Sequence, residues 1–182
     1  MVWVTERKAV AGVLHVLETV RLRLRPWSCN DAKALYDMCL DDELRRNGVC
    51  FYDSPEDARG MIRAWERDDK VKAVVRKEDD RVIGFVYLGE MNRYEQYNEL
   101  EYAIAADCRN CGYAAEAIVC MVDFAFGELG LSVVAASARG HNAASARVLQ
   151  KCGFVHEGTL RRHARDRSDT LYFSVLREEW EG

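Results

Sequence analysis

The chain has 182 residues, of which 49% are hydrophobic and 31% are charged, and its net charge is −4. This length and composition are typical of one soluble globular domain with a substantial core. The acidic balance gives no general attraction to nucleic acid, and no apolar run is long enough for a membrane helix, so we expect neither partner. Seven scattered cysteines without a secretory signal predict reduced thiols and a cytoplasmic location.

The first predicted strand lies near the start of the chain. Residues 1–17 show no clear pattern, and we interpret them as an N-terminal extension of a single domain over residues 18–182. Val20, Leu22 and Leu24 alternate with three arginines, which predicts a half-buried strand with a solvated basic face.

Two helices are predicted before the central part of the sheet. Ser28 or Asn30 is a suitable cap for a helix over residues 31–40. Ser54, followed by a proline and two acids, is a strong start signal for a second helix that runs to about Arg67.

The second half of the chain alternates strands and helices. A strand, a long apolar helix and another strand in succession predict a parallel pair joined by a crossover. The other strands are β-branched and aromatic, with turn residues between them, which favours antiparallel pairing. The predicted elements are strands at 72–76, 81–89 and 98–105, a helix at 113–127, a strand at 131–138, a helix from Asn142 to Gly153, and strands at 154–163 and 170–177.

The turn between the strand at 98–105 and the helix at 113–127 has the properties of a phosphate-binding site. A helix N-terminus exposes unpaired main-chain N–H groups and the positive end of the helix dipole. Gly112 allows the backbone to approach a ligand closely, and Ala114 keeps the first turn small. Arg109 adds a forked, charged donor.

Two motifs resemble one known family. The spacing Arg109-x-x-Gly112-x-Ala114 resembles the pyrophosphate-binding signature of the GNAT superfamily of N-acetyltransferases, which bind acetyl-CoA. The segment from Asn142 through Ser145 to Phe154 is similar to a second segment of that superfamily, in the variant typical of its RimJ/RimL-like branch. The resemblance covers roughly residues 18–180. It implies an α/β (α+β) fold: a mixed, mostly antiparallel sheet of six to seven strands, about four flanking helices, and a parallel strand pair that splays apart.

The resemblance also implies how acetyl-CoA would be held. Its pantetheine arm would lie between the splayed strands and pair with the main chain of Ile104 and Ala105, while Asn142 would hydrogen-bond the arm. The pyrophosphate would be wrapped by Arg109, Asn110, Cys111, Gly112, Tyr113 and Ala114.

Acetyl transfer from a thioester to an amine requires a proton acceptor for the amine and hydrogen-bond donors for the developing charge. Glu99 is the leading candidate for the base, and Glu101, on the same strand face, is its rival. Ser145 is the candidate acid on the sulfur side. A solvated charge at either glutamate and a packing role for Ser145 are left open, and Tyr102 is interpreted as a packing residue.

We therefore predict an acetyl-CoA-dependent N-acetyltransferase whose acceptor is the α-amine of a protein or the amine of a small molecule. The alternative is an acyl-CoA-binding module without turnover. Cys108 and Cys111 have the spacing of a redox or zinc pair, but no second pair follows at metal spacing, so no metal is expected. The segment Asn47–Tyr52 corresponds to a region that lies over the acceptor site in the family, although a loop packed on the core fits equally well. A homodimer is left open.

Overall fold

The computed structural model describes residues 14–49, 52–90 and 96–180. The strands are β1 (Leu17–Glu18), β2 (Leu22–Arg25), β3 (Val71–Arg76), β4 (Arg81–Glu90), β5 (Tyr97–Ile104), β6 (Val133–Arg139), β7 (Val155–Leu160) and β8 (Thr170–Leu176). The helices are α1 (Ala32–Cys39), α2 (Asp42–Arg46), α3 (Pro55–Trp65), α4 (Tyr113–Gly127), α5 (Ala143–Lys151) and α6 (Arg177–Trp180).

The eight strands found in the described residues form one sheet in the order β1-β2-β3-β4-β5-β6-β8-β7. β5 and β6 are parallel, and the other neighbouring strands in that sheet are antiparallel. The predicted mixed fold with one parallel pair is confirmed. The elements beyond the prediction are β1, α2 and α6, with 2, 5 and 4 residues, which are too short to produce a readable hydrophobic period.

The two faces of the sheet carry separate hydrophobic cores. One core packs α4 against the face that includes Leu100 and Ile104 of β5. The other packs α1 and α3 against the opposite face, which includes Ala103. Because side chains alternate along a strand, Glu99 and Glu101 lie on the same face as Ala103, whereas Tyr102 lies on the α4 face.

The parallel pair separates part-way along its length. β5 and β6 are in register from Tyr97 opposite Val133 to Leu100 opposite Ala136, and no further pairing joins the rest of the two strands. β6 instead continues to pair with β8 as far as Arg139 opposite Thr170. A gap therefore opens in the middle of the sheet beyond Leu100.

The start of the domain differs in detail from the expected pattern. Leu22 and Leu24 are fully buried, but Val20 is 93% exposed, so the predicted alternation is wrong at that residue. The reason is a tight turn between β1 and β2, in which the Thr19 amide donates to the Leu22 carbonyl at 3.0 Å. Of the proposed extension, residues 1–13 lie outside the described part, while Leu17 belongs to β1.

Candidate active site

A groove of about 680 Å³ lies at the gap between β5 and β6. Its walls come from both strands, the turn before α4, the first turn of α5, and the loops after α2 and β7. Ala105 and Cys111 are the two predicted site residues that do not line it. The ten that do are Glu99, Glu101, Ile104, Arg109, Asn110, Gly112, Tyr113, Ala114, Asn142 and Ser145.

The N-terminus of α4 opens into this groove without a side-chain cap. Gly112 is the N-cap residue, has φ +83° in the left-handed region, and provides no side-chain acceptor. Asn110 is also left-handed, with φ +60°. Within the described ranges, no residue accepts a hydrogen bond from the amides of residues 110–115. Such a run of free amides at a helix start is a favourable environment for a phosphate group.

Arg21 reinforces this turn, and it was not among the predicted site residues. Its Nη1 donates to the carbonyl of Cys111 at 2.9 Å, and its guanidinium lies 4.5 Å from the centre of the Tyr113 ring. The Arg21 Nε also donates a hydrogen bond, at 2.7 Å, to Glu116 in the first turn of α4. The contact joins residues about 90 positions apart, so the alternation of β2 alone could not reveal it.

Arg109 has a different role from the predicted one. Its Nη1 donates to Glu43 at 2.7 Å, its Nη2 lies 3.0 Å from Asp41, and its Nε donates to the Ile104 carbonyl at 3.1 Å. Because two carboxylates already compensate its charge, we correct the expectation that this guanidinium is a free donor for phosphate. Arg109 ties the turn to α2. The Leu44 amide and then the Arg109 guanidinium hold the pKa of Asp41 below its ordinary value, against the effect of burial.

The main-chain groups expected to pair with the pantetheine arm are only partly available. The Ala105 amide donates to the Ile83 carbonyl at 2.8 Å, and the Ala105 carbonyl accepts from Cys108 at 2.9 Å. The expectation for Ala105 is therefore corrected: its amide faces β4. Since the ladder alternates, the amides of Tyr102 and Ile104 face the other edge, toward the gap.

Two carboxylates stand on one face of the sheet beside the gap. Glu99 accepts a hydrogen bond from the Ser137 hydroxyl of β6 at 2.7 Å. Burial raises the pKa of Glu101, and the negative charge of Glu99 adds to the effect. Tyr172 of β8, directly opposite Ser137, contributes an aromatic wall to the same side. A carboxylate with a raised pKa is suited to accept a proton near neutral pH.

A pair of hydroxyl groups stands on the opposite face. The Ser145 Oγ lies 2.8 Å from the Tyr102 Oη, and the Ser145 amide donates to the Asn142 Oδ1 at 3.0 Å. Burial raises the pKa of Tyr102 to about 12, so its phenol stays protonated in neutral solution. Tyr102, interpreted from sequence as a packing residue, therefore also contacts the candidate acid.

The described cysteines differ in exposure. Cys29, Cys108, Cys111, Cys120 and Cys152 are free thiols. Cys108 is buried, which raises its pKa, whereas Cys111 is exposed. The part of the chain that the structure describes contains no group of three or more His, Cys, Asp or Glu side chains arranged to hold a metal. None of its helices is long and apolar enough to cross a membrane.

Comparison with known proteins decides the family. Residues 21–155 match the family model described as an acetyltransferase (GNAT) domain. The chain belongs to the GNAT family of acetyltransferases. This acetyltransferase is 30% identical to the uncharacterized N-acetyltransferase YoaA of Bacillus subtilis, over 89% of this chain and 97% of the relative. The family predicted from the two motifs, and an acetyltransferase activity with it, are thus confirmed.

Two further comparisons place this GNAT acetyltransferase among its relatives. It is 28% identical to the putative ribosomal N-acetyltransferase YdaF of Bacillus subtilis, over 90% of this chain and 93% of that protein. The solved structure of Mycobacterium smegmatis RimJ in complex with CoA-disulfide is similar in fold, with a TM-score of 0.78 and 23% identity over 92% of this chain and 90% of that one.

Proposed function

We propose that this enzyme transfers an acetyl group from acetyl-CoA directly to a primary amine, as a cytoplasmic member of the RimJ/RimL-like branch. The acceptor is the α-amine of a protein or the amine of a small molecule. The observation that carries the proposal is the uncapped start of α4 at one end of a groove that also contains Glu99, Glu101 and Ser145. The similarity to a RimJ structure and to a putative ribosomal N-acetyltransferase supports the branch.

The residues present fit a diphosphate-bearing ligand. The free amides from Asn110 to Ala114 would receive the diphosphate, and Gly112 holds the left-handed conformation that turns them toward the groove. The amide of Ile104 faces the gap and would bind the arm of the ligand. Asn142 uses its Oδ1 for Ser145 but keeps its Nδ2 donor for the same arm.

The division of the sheet into two faces suggests how the groups share the chemistry. Acetyl-CoA supplies an activated acetyl group as a thioester. A glutamate, Glu99 or Glu101, accepts the proton that the attacking amine loses, directly or through a water. From the other face, Ser145 holds its proton toward the departing sulfur. In this scheme the Tyr102 phenol, 2.8 Å from the Ser145 Oγ, is the donor of their hydrogen bond, which leaves the serine proton free for the sulfur, so Tyr102 acts as a positioning residue.

The proposal is tested by thiol release from acetyl-CoA against a panel of amines and peptides. Glu99→Gln and Glu101→Gln should show which of the two acids is the base. Loss of the true base should lower kcat by about 10²- to 10⁴-fold. Ser145→Ala and Tyr102→Phe should lower kcat while the KM for acetyl-CoA stays constant. Glu128→Gln, at the exposed far end of α4, is the matched control.

The outcomes also separate this function from the alternative. Binding of CoA without thiol release in the presence of any acceptor would support an acyl-CoA-binding module instead. Direct transfer requires sequential kinetics, because both substrates must be bound together. Accumulation of an acetylated Cys111 during turnover would contradict it.

A further inference from the structure

Arg139 is a cation of the groove with no carboxylate partner among the described residues. It is the last residue of β6, lines the groove and is half-buried. Arginines on other strands of the sheet are paired: Arg25 of β2 with Asp31 at 2.7 Å and Arg81 of β4 with Asp107 at 2.5 Å. No carboxylate of the described residues comes within ion-pairing distance of Arg139, and none of those residues accepts a hydrogen bond from it.

The guanidinium of Arg139 is nevertheless held in position. A Cβ added to Gly48 would lie 2.9 Å from the Arg139 Nη2, so the guanidinium packs directly against the loop that follows α2. Asp166 accepts hydrogen bonds from the hydroxyl and the amide of Ser168, and these lower its pKa. The positive charge of Arg139 adds to this effect, but Arg139 does not hydrogen-bond Asp166. A half-buried charge without a partner is costly, and an anion from outside the chain would compensate it.

Strand geometry relates Arg139 to the candidate base. Ser137 and Arg139 are two residues apart on β6, so their side chains lie on one face about 7 Å apart. Ser137 donates to Glu99 at 2.7 Å. Thr170 and Tyr172 of β8 stand opposite Arg139 and Ser137 and line the same stretch of the groove. The acids and Arg139 thus line the same groove on one face of the sheet, with Ser137 between Glu99 and Arg139.

This arrangement has opposite charges at its two ends. An amine bound next to Glu99 and Glu101 would direct the rest of the acceptor toward Arg139. The planar guanidinium matches a carboxylate in two-point hydrogen bonding better than it matches a neutral group. The two glutamates would repel a carboxylate placed at their own end, which allows one orientation of such an acceptor and disfavours the reverse.

We propose that Arg139 binds a carboxylate of the acceptor, so that the amine acetylated by this enzyme belongs to a molecule with a carboxylate a few bonds away. This inference rests on the proposed acetyl transfer and specifies its acceptor. A free amino acid and an acidic residue near the N-terminus of a peptide both present this chemistry.

Matched acceptor pairs test the inference without altering the protein. One arm compares free amino acids with their α-amides, and the other compares peptides that begin with Asp or Glu with peptides that begin with Asn or Gln. The native enzyme should favour the carboxylate member, in kcat/KM for thiol release, by about ten- to a hundredfold in the arm that represents its acceptor.

Variants then assign the preference to Arg139. Arg139→Met should remove the preference by lowering kcat/KM for the carboxylate member alone, and Arg139→Lys should retain part of it. Arg161→Gln is the control, because Arg161 is an exposed cation of the neighbouring loop that does not line the groove. Its preference should match that of the native enzyme.

Three results would overturn the inference, and they are distinguishable. Equal rates for both members of every pair would exclude the carboxylate site and leave acetyl transfer intact. A loss with Arg139→Met that is equal for carboxylate and amide acceptors would show that Arg139 only supports the loop at Gly48. Absence of thiol release with every acceptor would contradict the proposed function itself.

Discussion

The two helices that border the groove begin in different ways. α4 starts at Gly112, which has no side chain to satisfy the first-turn amides. α5 starts at Asn142, whose Oδ1 accepts from the Ser145 amide at 3.0 Å. Both helix starts line the same groove. The first therefore has free donors for a ligand, whereas the second has used a donor to fix the position of its own serine.

This difference shows that a helix N-terminus has two uses in one site. An open terminus with a left-handed glycine provides main-chain donors and a positive field for a diphosphate. A capped terminus provides rigidity, and here it orients the Ser145 side chain toward Tyr102. Adding a cap to the start of α4 should therefore weaken ligand binding, whereas removing the cap of α5 should lower stability.

The largest expected effect comes from closing the open terminus. In Gly112→Asp, a carboxylate would cap the free amides and repel a diphosphate, so the affinity for CoA should fall by about a hundredfold. Titration calorimetry measures the change. Gly130→Asp is the matched control, because Gly130 is also left-handed, with φ +70°, and has room for a Cβ, but lies after the end of α4. Equal losses for the two variants would contradict the anion site.

A smaller effect is expected at the capped terminus. Asn142→Ala removes the cap of α5 and should lower the free energy of unfolding by about 1 kcal/mol, whereas Asn142→Asp keeps an acceptor and should preserve stability. Both variants lose the Nδ2 donor and should bind CoA several-fold more weakly. Denaturant unfolding and calorimetry separate the two roles. Native affinity in Asn142→Asp would show that Asn142 is a cap alone.

The contact that braces the open terminus should have a more modest effect. Arg21→Gln removes the donor to the Cys111 carbonyl and the contact with Tyr113, so the KM for acetyl-CoA should rise by about three- to tenfold. Arg23 of β2, two residues further along the chain, is the matched control, since it pairs with Glu18 and Asp80 at the surface. A rise of the same size in Arg23→Gln would argue for a general charge effect.

The smallest expected effect is a pH-dependent change of stability at Glu101. Its pKa is raised in the folded protein, so the folded state binds this proton more tightly, and ionisation at higher pH weakens folding. Glu101→Gln should therefore raise the melting temperature at neutral pH. The gain should disappear when the pH falls below the ordinary glutamate pKa of 4.5. A gain that is constant across pH would contradict a raised pKa.

The parts of the site that could be predicted from the sequence depend on local rules. The left-handed glycine at position 112 and the Asn142 cap follow from residue types within one turn of a helix. The role of Arg109 does not, because Asp41 and Glu43 are brought to it by the fold from more than 60 residues away. Its place in the motif suggested a phosphate contact, and the tertiary ion pairs override that suggestion.

The contact between Tyr102 and Ser145 was also beyond the sequence pattern. Strand alternation predicts that Glu99 and Glu101 share a face and that Tyr102 lies on the other one. It does not predict that α5 brings Ser145 to within 2.8 Å of the Tyr102 hydroxyl. Likewise, the parallel pair was predictable from the order of elements, whereas the residue at which it separates is a property of the whole sheet.

The most direct test of the central claim compares CoA with pantetheine, which lacks the nucleotide and its diphosphate, in titration calorimetry with the native protein. If the free amides before α4 hold the diphosphate, CoA should bind and pantetheine should bind at least about a hundredfold more weakly, since several charge-assisted hydrogen bonds are lost. Equal affinities for the two compounds, or no binding of CoA, would contradict the account.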